Sequence, residues 1–491
     1  MIAAAYSVGL FVRVCVSDMA AVNQDMWKAV GVCSTRNTLQ HFIQHPCNPQ
    51  QRLYFMADPP HLLKNVRNCL LAQSIILPSS AVSAAELPTD TVTLDQVQNL
   101  VVLQRERELN LAPKLTKAHI APGRYQKMRV DMAAQLMSHT TASALRFCES
   151  LKMLQPEALT TAWFFDVVNR WFDIMNARTS KAALCKSSTD KLATLKQAVD
   201  VVVNLKFSGR NAWKPIQAGI QLSTASVIDL HHELVLSGAY SFLLTGRLTQ
   251  DCVENLFSCI RGRGDMHPSP VHFRHNLRTI SLSQYMNTAA NTCYTQDDST
   301  YFLDFLKTKP VQTVPLSDDE FQFLDSSFVL DDSEEMLDAN VCYMLAGWAV
   351  HKEMATVGAC EDCLAAMCGH ETDTPADCSA TQLMVLKSHG GLSEPSPLIH
   401  SAVQVAEAVF KSCQPHLTSW TDVESKLNDE FRRRFETSVL PSCHNILSDI
   451  ISRYFRLRLH VYGKWLTQQH KMGGSVVQHG SRSAFCRTKI T

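Results

Sequence analysis

Two apolar runs near the start of the chain each lead to an aspartate. The first spans 10–16 and is closed by Asp18, and the second spans 53–57 and is closed by Asp58. Both runs are rich in β-branched or aromatic residues, which favours strands, and a helical pattern follows each of them. A strand that delivers a carboxylate at its C-terminal edge is typical of sheet enzymes. These stretches therefore predict an α/β sheet domain with acidic side chains at one edge.

A further acidic pair lies in the segment LTQDCVENLF, residues 248–257. Asp251 and Glu254 are three residues apart, so on a helix they share one face. Two carboxylates beside an apolar wall can hold a divalent metal near phosphate oxygens. The same spacing also describes a solvated face or the first turn of an amphipathic helix. Arg261 and Arg263 follow at once, and arginines so close to metal-binding carboxylates favour a DNA-facing surface.

The composition describes a folded protein without a global charge. The 491 residues predict two to four domains, and 46 Lys plus Arg balance 46 Asp plus Glu, so any DNA binding must come from local patches. The 17 cysteines are scattered through apolar segments, which indicates reduced thiols in a cytosolic or nuclear protein. The opening residues predict a helix over 2–7, a stop near Gly9 and then the first strand, rather than a signal peptide or a membrane span.

A small, polar, proline-punctuated stretch separates the first sheet segment from a strongly helical one. It covers about 77–94 and predicts a linker. Apolar residues recur at helical spacing over 132–145, 158–175 and 192–205, with few strand signals. On the helix after Asp58, the spacing of Lys64 and Arg67 predicts a shared face, either toward phosphates or simply toward solvent.

The last third of the chain begins with an acidic, loop-rich region and ends in helices. The motif Cys360-x-x-Cys363 has a spacing that suits zinc, and Cys443 or His444 together with His460 could complete a tetrahedron. The predicted ligand set is Cys360, Cys363, Cys443 and His460. Free thiols are the alternative, because there is no second closely spaced cysteine pair.

Five blocks of the chain, in this order, resemble the P-element transposases and their THAP-domain-containing relatives. They cover roughly residues 1–278 and read SDMAAVNQDMW, DPPHLLKNVRN, LAPKLTKAHI with KMRVDMAAQLMSH, FDIMNAR, and LTQDCVENLFSCIRGRG. The resemblance implies an RNase H-like sheet domain interrupted by a large all-α insertion and followed by a mostly helical C-terminal region. The resemblance further implies that the protein acts on DNA, is located in the nucleus and forms a homo-oligomer.

The resemblance also implies a metal site for DNA cleavage and strand transfer. Asp18 matches the family's second catalytic acid and Glu254 its third, with Asp251 as a companion, and Mg²⁺ or Mn²⁺ would be bound there. Lys64, Arg67, Arg261 and Arg263 would contact DNA. The first catalytic aspartate and the zinc-finger domain of the family have no counterpart, so we expect an N-terminally truncated or domesticated, weakly active or inactive transposase.

A GTP site is the last implication of the resemblance. Asp173 and Asn176 match nucleotide-contacting residues, and Lys114 and Val130 fall where a phosphate-facing lysine and a further contact are expected. There is no P-loop motif in the chain. Alternatively, the segment around Asp173 is simply one turn of a core helix.

The expected domains are two parts of an RNase H-like domain with intervening and following segments. They are 1–76 (first part), 77–96 (linker), 97–215 (helical GTP-binding insertion), 216–286 (second part), 287–340 (acidic linker) and 341–491 (helical region with a possible zinc site). Two other functions stay open: a non-catalytic nuclear protein that binds proteins or DNA, and a free-standing GTP-binding module.

Overall fold

The computed structural model describes residues 1–105, 107, 109–208, 212–263, 267–287, 332–358, 360–369, 380–388, 392–435, 441 and 443–473. These residues are mostly helical, with small sheets. They form two compact units. The first contains Met1–Ala84, Lys127–Ala134 and the described part of Val167–Val314, and the second contains Ala85–Gln126, Gln135–Asp166 and the described part of Pro315–Thr491.

Most of the described residues belong to helices, and none of these helices is long and apolar enough to cross a membrane. They are α1 (Ile2–Ser7), α2 (Ala21–Ala29), α3 (Pro59–Ala72), α4 (Ser79–Ala84), α5 (Asp95–Arg105), α6 (Lys117–Ile120), α7 (Val130–Leu136), α8 (His139–Ser150), α9 (Glu157–Met175), α10 (Thr189–Val203), α11 (Pro215–His231), α12 (Asp251–Arg261), α13 (Pro270–Asn287), α14 (Asp332–Val357), α15 (Glu361–Met367), α16 (Gln382–Lys387), α17 (Pro397–Cys413), α18 (Val423–Arg434) and α19 (Ile446–Gly473).

The strands of the described residues are short, except for one. They are β1 (Val14–Ser17), β2 (Cys33–Ser34), β3 (Leu39–Gln40), β4 (Phe42–His45), β5 (Asn48–Ala57), β6 (Ile75–Ile76), β7 (Thr91–Val92), β8 (Leu184–Cys185), β9 (Lys206–Phe207) and β10 (Phe242–Leu243). The main sheet has the order β1-β5-β4, with β1 parallel and β4 antiparallel to β5.

The central strand β5 forms the core of the first unit. Its last five residues, 53–57, are all buried, as expected for an apolar run covered on both faces. Helix α11 packs against it, and its serines extend the hydrogen-bonding ladder beyond β4. Ser223 Oγ accepts from Ala57 N and donates to Ala57 O, both at 2.8 Å, and Ser226 Oγ donates to Phe55 O at 2.7 Å. Buried strand groups that have no neighbouring strand are thereby satisfied.

The close contact of α11 with the sheet requires a glycine. A Cβ on Gly219 would lie 2.5 Å from Leu62 Cδ2 and 3.1 Å from Met19 Sδ. Any larger residue would push α11 away from the start of α3. The residues around Asp18 and Asp58 therefore sit on a rigid support of strand and helix.

The second unit has its own core, in which α14, α17, α18 and α19 pack together. At its centre the Glu407 carboxylate is buried and receives three hydrogen bonds. Arg458 donates two, from Nε at 2.8 Å and from Nη2 at 3.0 Å, and the Tyr454 hydroxyl donates the third at 2.6 Å. This saturation allows a charged pair to lie inside an apolar helical core.

The two predicted linkers differ from what the structure shows. Residues 77–96 contain α4 and β7, and Val92 is fully buried, so part of this polar stretch is folded. Of the predicted acidic linker 287–340, residues 288–331 lie outside the described residues, while 332–340 already belong to α14. Residues of the predicted insertion 97–215 occur in both units, and its bounds stay a prediction.

Candidate functional site

Asp18 and Asp58 lie side by side at one edge of the main sheet. They directly follow β1 and β5, which are parallel and pair Ser17 with Ala57. The sequence patterns predicted this edge. Asp18 Oδ1 accepts hydrogen bonds from Ala20 N at 3.0 Å and from Asn23 Nδ2 at 2.6 Å, which fixes the carboxylate at the start of α2.

Asp58 is the structural member of the pair. It is buried and caps α3, because Oδ2 accepts from His61 N at 3.0 Å, while Oδ1 accepts from Gln250 N at 2.7 Å. Burial raises the pKa of Asp58, and the two backbone hydrogen bonds act in the opposite direction. One carboxylate thus joins the start of α3 to the residue that precedes α12.

This junction brings Glu254 of α12 to the sheet edge. His61 Nε2 lies 3.0 Å from Glu254 Oε1, and His61 Nδ1 lies 4.0 Å from Asp18 Oδ2, so one imidazole stands between the two carboxylates. The Asp18 and Glu254 side chains keep 36% and 58% of their surface exposed. No role was predicted for His61 from the sequence, although its position three residues after a strand-ending aspartate was an available signal.

Asp251 does not join this group as a second open carboxylate. Its Oδ2 accepts a hydrogen bond from Arg178 Nη2 in an ion pair. Although Asp251 and Glu254 are one helical turn apart, as the spacing predicted, Asp251 is neutralised by an arginine that follows α9. The predicted role of Asp251 as a companion metal ligand is therefore not supported by its surroundings.

Among the predicted DNA-facing residues, Arg67 does not lie at the surface. It is fully buried, and its guanidinium donates to the carbonyl oxygens of Lys127 and of Arg129, the latter at 3.1 Å. The desolvation of the guanidinium lowers its pKa. Arg67 therefore anchors the segment before α7, and it cannot face a phosphate backbone.

The other predicted DNA contacts stay near the surface. Lys64 is half-buried on α3, whereas Arg261 and Arg263 are exposed at the end of α12. The Arg261 guanidinium lies 6.0 Å from the centre of the Phe257 ring, which is itself 40% exposed. This end of α12 offers positive charge and an apolar surface together.

Three of the four predicted nucleotide contacts lie in the first unit. Asp173 is exposed on the last turn of α9 and accepts from Asn169 Nδ2 at 2.8 Å. Asn176 directly follows that helix, and its buried Oδ1 accepts no hydrogen bond from any described residue. Val130 begins α7, in the segment that Arg67 anchors. The fourth, Lys114, is exposed and belongs to the second unit.

A cluster of thiols and imidazole in the second unit could hold a metal ion. Cys360, Cys363, Cys443 and His444 have ligand atoms that all lie within 4.8 Å of one another. The ligand set predicted from the sequence contains the same three cysteines, but with His460 in place of His444. His460 lies 14 residues into α19, about four helical turns from its start, so it cannot reach the cluster at that helix's beginning.

Two family models match the chain. Residues 60–188 match the TNP-like, GTP-binding insertion domain, and residues 332–464 match the C-terminal domain of DNA transposase THAP9. The transposable element P transposase of Drosophila melanogaster is 29% identical over 278 residues, which are 55% of this chain and 35% of that protein. DNA transposase THAP9 of Homo sapiens is 24% identical over 442 residues, which are 82% of this chain and 46% of that protein.

A solved structure resembles the chain as well. The Drosophila P element transposase strand transfer complex matches with a TM-score of 0.52 and 27% sequence identity, over 58% of this chain and 63% of that chain. The chain spans less than half the length of each of the two curated relatives, the P transposase and THAP9.

Proposed function

We propose that this chain, which is similar to the P-element and THAP9 transposases, is a transposase-derived protein that binds DNA, a divalent cation and guanine nucleotide. The proposal includes weak metal-dependent cleavage and joining of DNA strands. It also includes an RNase H-like origin for the main sheet, a nuclear location and self-association on DNA.

One observation carries the cleavage part of the proposal. His61 and Glu254 are 193 residues apart in sequence and yet make a 3.0 Å contact, and the same imidazole lies beside Asp18. Surface carboxylates normally avoid one another because their charges repel. Gathering two accessible carboxylates around one histidine at the end of a parallel strand pair supports a site for a cation and phosphate.

The donor set of this edge fits Mg²⁺ or Mn²⁺. Both ions prefer oxygen ligands, and Mg²⁺ sites in nucleotide chemistry often use one or two carboxylates, with the remaining positions taken by water and phosphate oxygens. Asp18 and Glu254 would supply those carboxylates, since Asp58 is capped by amides and Asp251 is paired with Arg178. A cation held there would supply Lewis-acid polarisation of a phosphodiester.

The remaining residues position this pair and the DNA. His61 holds the Glu254 carboxylate toward Asp18, and Asp58 fixes α12 against α3 through Gln250 N. Arg261 and Arg263 would contact phosphates at the end of the same helix, where bidentate guanidinium donors suit phosphate oxygens. Lys64 is a candidate for a further phosphate contact.

The surroundings of Asp173 and Asn176 support guanine recognition. An exposed carboxylate can accept from the N1–H and the exocyclic amine of guanine, which adenine does not offer in that arrangement. The buried Asn176 Oδ1 has no partner among the described residues, so it can accept one hydrogen bond from a ligand. Val130 would add an apolar contact. We assign Lys114 to phosphate binding on the family resemblance alone.

A second candidate function is a transposase-derived protein that binds DNA without cutting it. The ion pair between Asp251 and Arg178 favours this alternative, because it leaves only two open carboxylates among the described residues of this edge. Loss of acidic ligands from a phosphoryl-transfer site lowers its activity strongly.

Nicking of supercoiled DNA by the purified chain with Mg²⁺ or Mn²⁺ separates the two candidates. We expect slow nicking by the wild type, and none by Asp18→Asn or Glu254→Gln, which keep side-chain shape but remove charge. Asp25→Asn is the matched control, because Asp25 is an exposed carboxylate on α2. Binding of DNA without nicking by every variant would establish the second candidate, and equal nicking by all variants would point to a contaminating nuclease.

The nucleotide assignment is tested by exchanging one atom of the side chain. Asp173→Asn replaces an acceptor by a donor, so we expect weaker GTP binding and a gain in binding of xanthosine triphosphate, whose C2 oxygen accepts. Asp200→Asn, an exposed carboxylate on α10, serves as the control. Unchanged GTP affinity of Asp173→Asn in a filter-binding assay would rule out Asp173 as the guanine-binding residue.

A further inference from the structure

The thiol cluster of the second unit has distances that a bound ion would explain. Cys363 Sγ lies 3.2 Å from Cys443 Sγ and 3.3 Å from His444 Nδ1, and Cys360 Sγ lies 3.7 Å from Cys443 Sγ. Neighbouring ligands of a tetrahedral zinc–thiolate site are about 3.8 Å apart, because the Zn–S bond is about 2.3 Å long. The four side chains thus already occupy about the volume of one tetrahedron.

A disulfide does not account for this arrangement. All three cysteines are free, and a disulfide bond requires its sulfur atoms to be about 2.05 Å apart. A disulfide would also use two of the three thiols and leave the third and the imidazole beside it without a role. A shared ligand explains why four metal-binding side chains from two distant segments converge.

We propose that Cys360, Cys363, Cys443 and His444 bind one structural Zn²⁺ ion. Four protein ligands close the coordination sphere, so the site has no open position for a substrate and serves folding rather than catalysis. Its sulfur-rich donor set differs from the carboxylates at the sheet edge, which suit hard cations. The proposal goes beyond the transposase function and does not depend on it.

The site would join the beginnings of two helices. Cys360 immediately precedes α15 and Cys363 lies in its first turn, while Cys443 and His444 lie three and two residues before α19. The two ligand pairs are 80 or more residues apart in the chain.

Their surroundings belong to the core of the second unit. Cys363, Met367 and Ile446 are buried in the cluster that also contains α17. Binding of the ion would therefore fix the direction in which α19 enters this core, and part of its binding free energy would appear as stability of the second unit.

Zinc content of the purified full chain tests the proposal with a matched pair of histidines. We expect about one Zn²⁺ per wild-type chain by mass spectrometry, loss of most of it in His444→Ala, and full retention in His460→Ala, an exposed histidine on α19. A wild type purified with added zinc but without bound zinc would overturn the proposal. Retention of zinc by His444→Ala would show that His444 is not a ligand and would overturn the proposed set.

A second variant separates metal loss from misfolding. His444→Cys offers a four-thiolate site, so we expect it to recover the zinc that His444→Ala loses. Reconstitution of the chelator-treated wild type with Co²⁺ should give the visible bands of tetrahedral cobalt and near-ultraviolet thiolate charge transfer. Absence of both signals, or a disulfide between Cys363 and Cys443 in protein purified under reducing conditions, would contradict the site.

Discussion

The carboxylates at the sheet edge of the first unit and the carboxylate at the core of the second are held in opposite ways. Asp18 and Glu254 keep a third or more of their side-chain surface exposed and share one histidine. Glu407 is buried, with two hydrogen bonds from Arg458 and one from Tyr454. Burial raises the pKa of Tyr454 well above its usual value, so its hydroxyl stays protonated and can donate.

This difference in exposure and hydrogen bonding distinguishes acidic residues that can bind a ligand from those that stabilise the fold. The Glu407 carboxylate is buried and bound by three donors, so it is not accessible to a cation, and removal of Arg458 would leave its charge uncompensated. An exposed carboxylate contributes little to stability but can exchange water for a ligand. Substitutions in the two regions should therefore have opposite effects on stability and on ligand binding.

The largest expected effect is at Glu407. Glu407→Gln keeps the shape of the side chain but leaves the Arg458 charge buried without a carboxylate, which costs about 3–5 kcal/mol. Urea denaturation of the full chain would measure the loss. Glu424→Gln is the control in the same unit, because Glu424 pairs with Arg456 at the surface and should cost less than about 1 kcal/mol. Similar losses for both variants would contradict the distinction.

A smaller loss is expected at Arg67 in the first unit. Arg67→Met fills most of the same space but leaves the carbonyl oxygens of Lys127 and Arg129 without their donor, at a cost of about 2–3 kcal/mol. Guanine nucleotide affinity should fall as well, because this segment leads into Val130. Lys64→Met, on the same helix, should change stability by less than about 0.5 kcal/mol. If Lys64→Met were the more destabilising, the assignment of Arg67 as the anchor would be wrong.

A pH-dependent effect is expected at Lys387 in the second unit. Its amino group is desolvated and donates to Leu111 O, and desolvation lowers its pKa from 10.5 to about 8. Between pH 8 and 10.5 the unfolded chain therefore binds more protons than the folded chain, so the lysine's penalty is present below pH 8 and disappears as the pH rises to 10.5.

Lys387→Met removes this titration, and the comparison with wild type isolates it. The stability of the variant relative to wild type should decrease by about 2.5 kcal/mol between pH 8 and pH 10.5. Thermal unfolding at both pH values would measure it, and Lys352→Met, an exposed lysine on α14, should show no such change. A difference that does not vary with pH would mean that the ammonium of Lys387 is solvated.

The smallest stability change is expected at the sheet edge. Asp18→Asn and Glu254→Gln should each change the free energy of unfolding by no more than about 0.5–1 kcal/mol, because both side chains are accessible. Mn²⁺ should raise the melting temperature of the wild type more than that of either variant, since a ligand stabilises the state it binds. Equal thermal shifts in all three proteins would indicate that Mn²⁺ binds elsewhere.

Periodicity in the sequence was sufficient to predict individual helices and strands, but not the contacts that they make with distant parts of the chain. The helix over residues 2–7 and the stop at Gly9, whose φ is +82°, are confirmed, as is the ending of β5 just before Asp58. The apolar runs specify these elements locally. The proximity of Glu254 to Asp18 depends instead on the hydrogen bond from Gln250 N to Asp58, which no local pattern contains.

The errors share the same physical cause. Spacing placed Lys64 and Arg67 on one face of α3, but it could not show that the carbonyl groups before α7 cover the arginine. Cysteine spacing singled out Cys360 and Cys363, whereas the choice between His444 and His460 depended on where α19 begins. Long-range contacts decided each of these cases.

The serines of α11 that complete β5 have a consequence for synthesis of the protein. Ser223 and Ser226 follow their strand partners by 166 and 171 residues. During translation, the end of β5 therefore leaves the ribosome long before α11 is made. Until then its backbone groups lack their serine partners and can pair with other chains. We expect nascent chains that pause before Pro215 to depend on chaperones, and truncated products that stop there to aggregate.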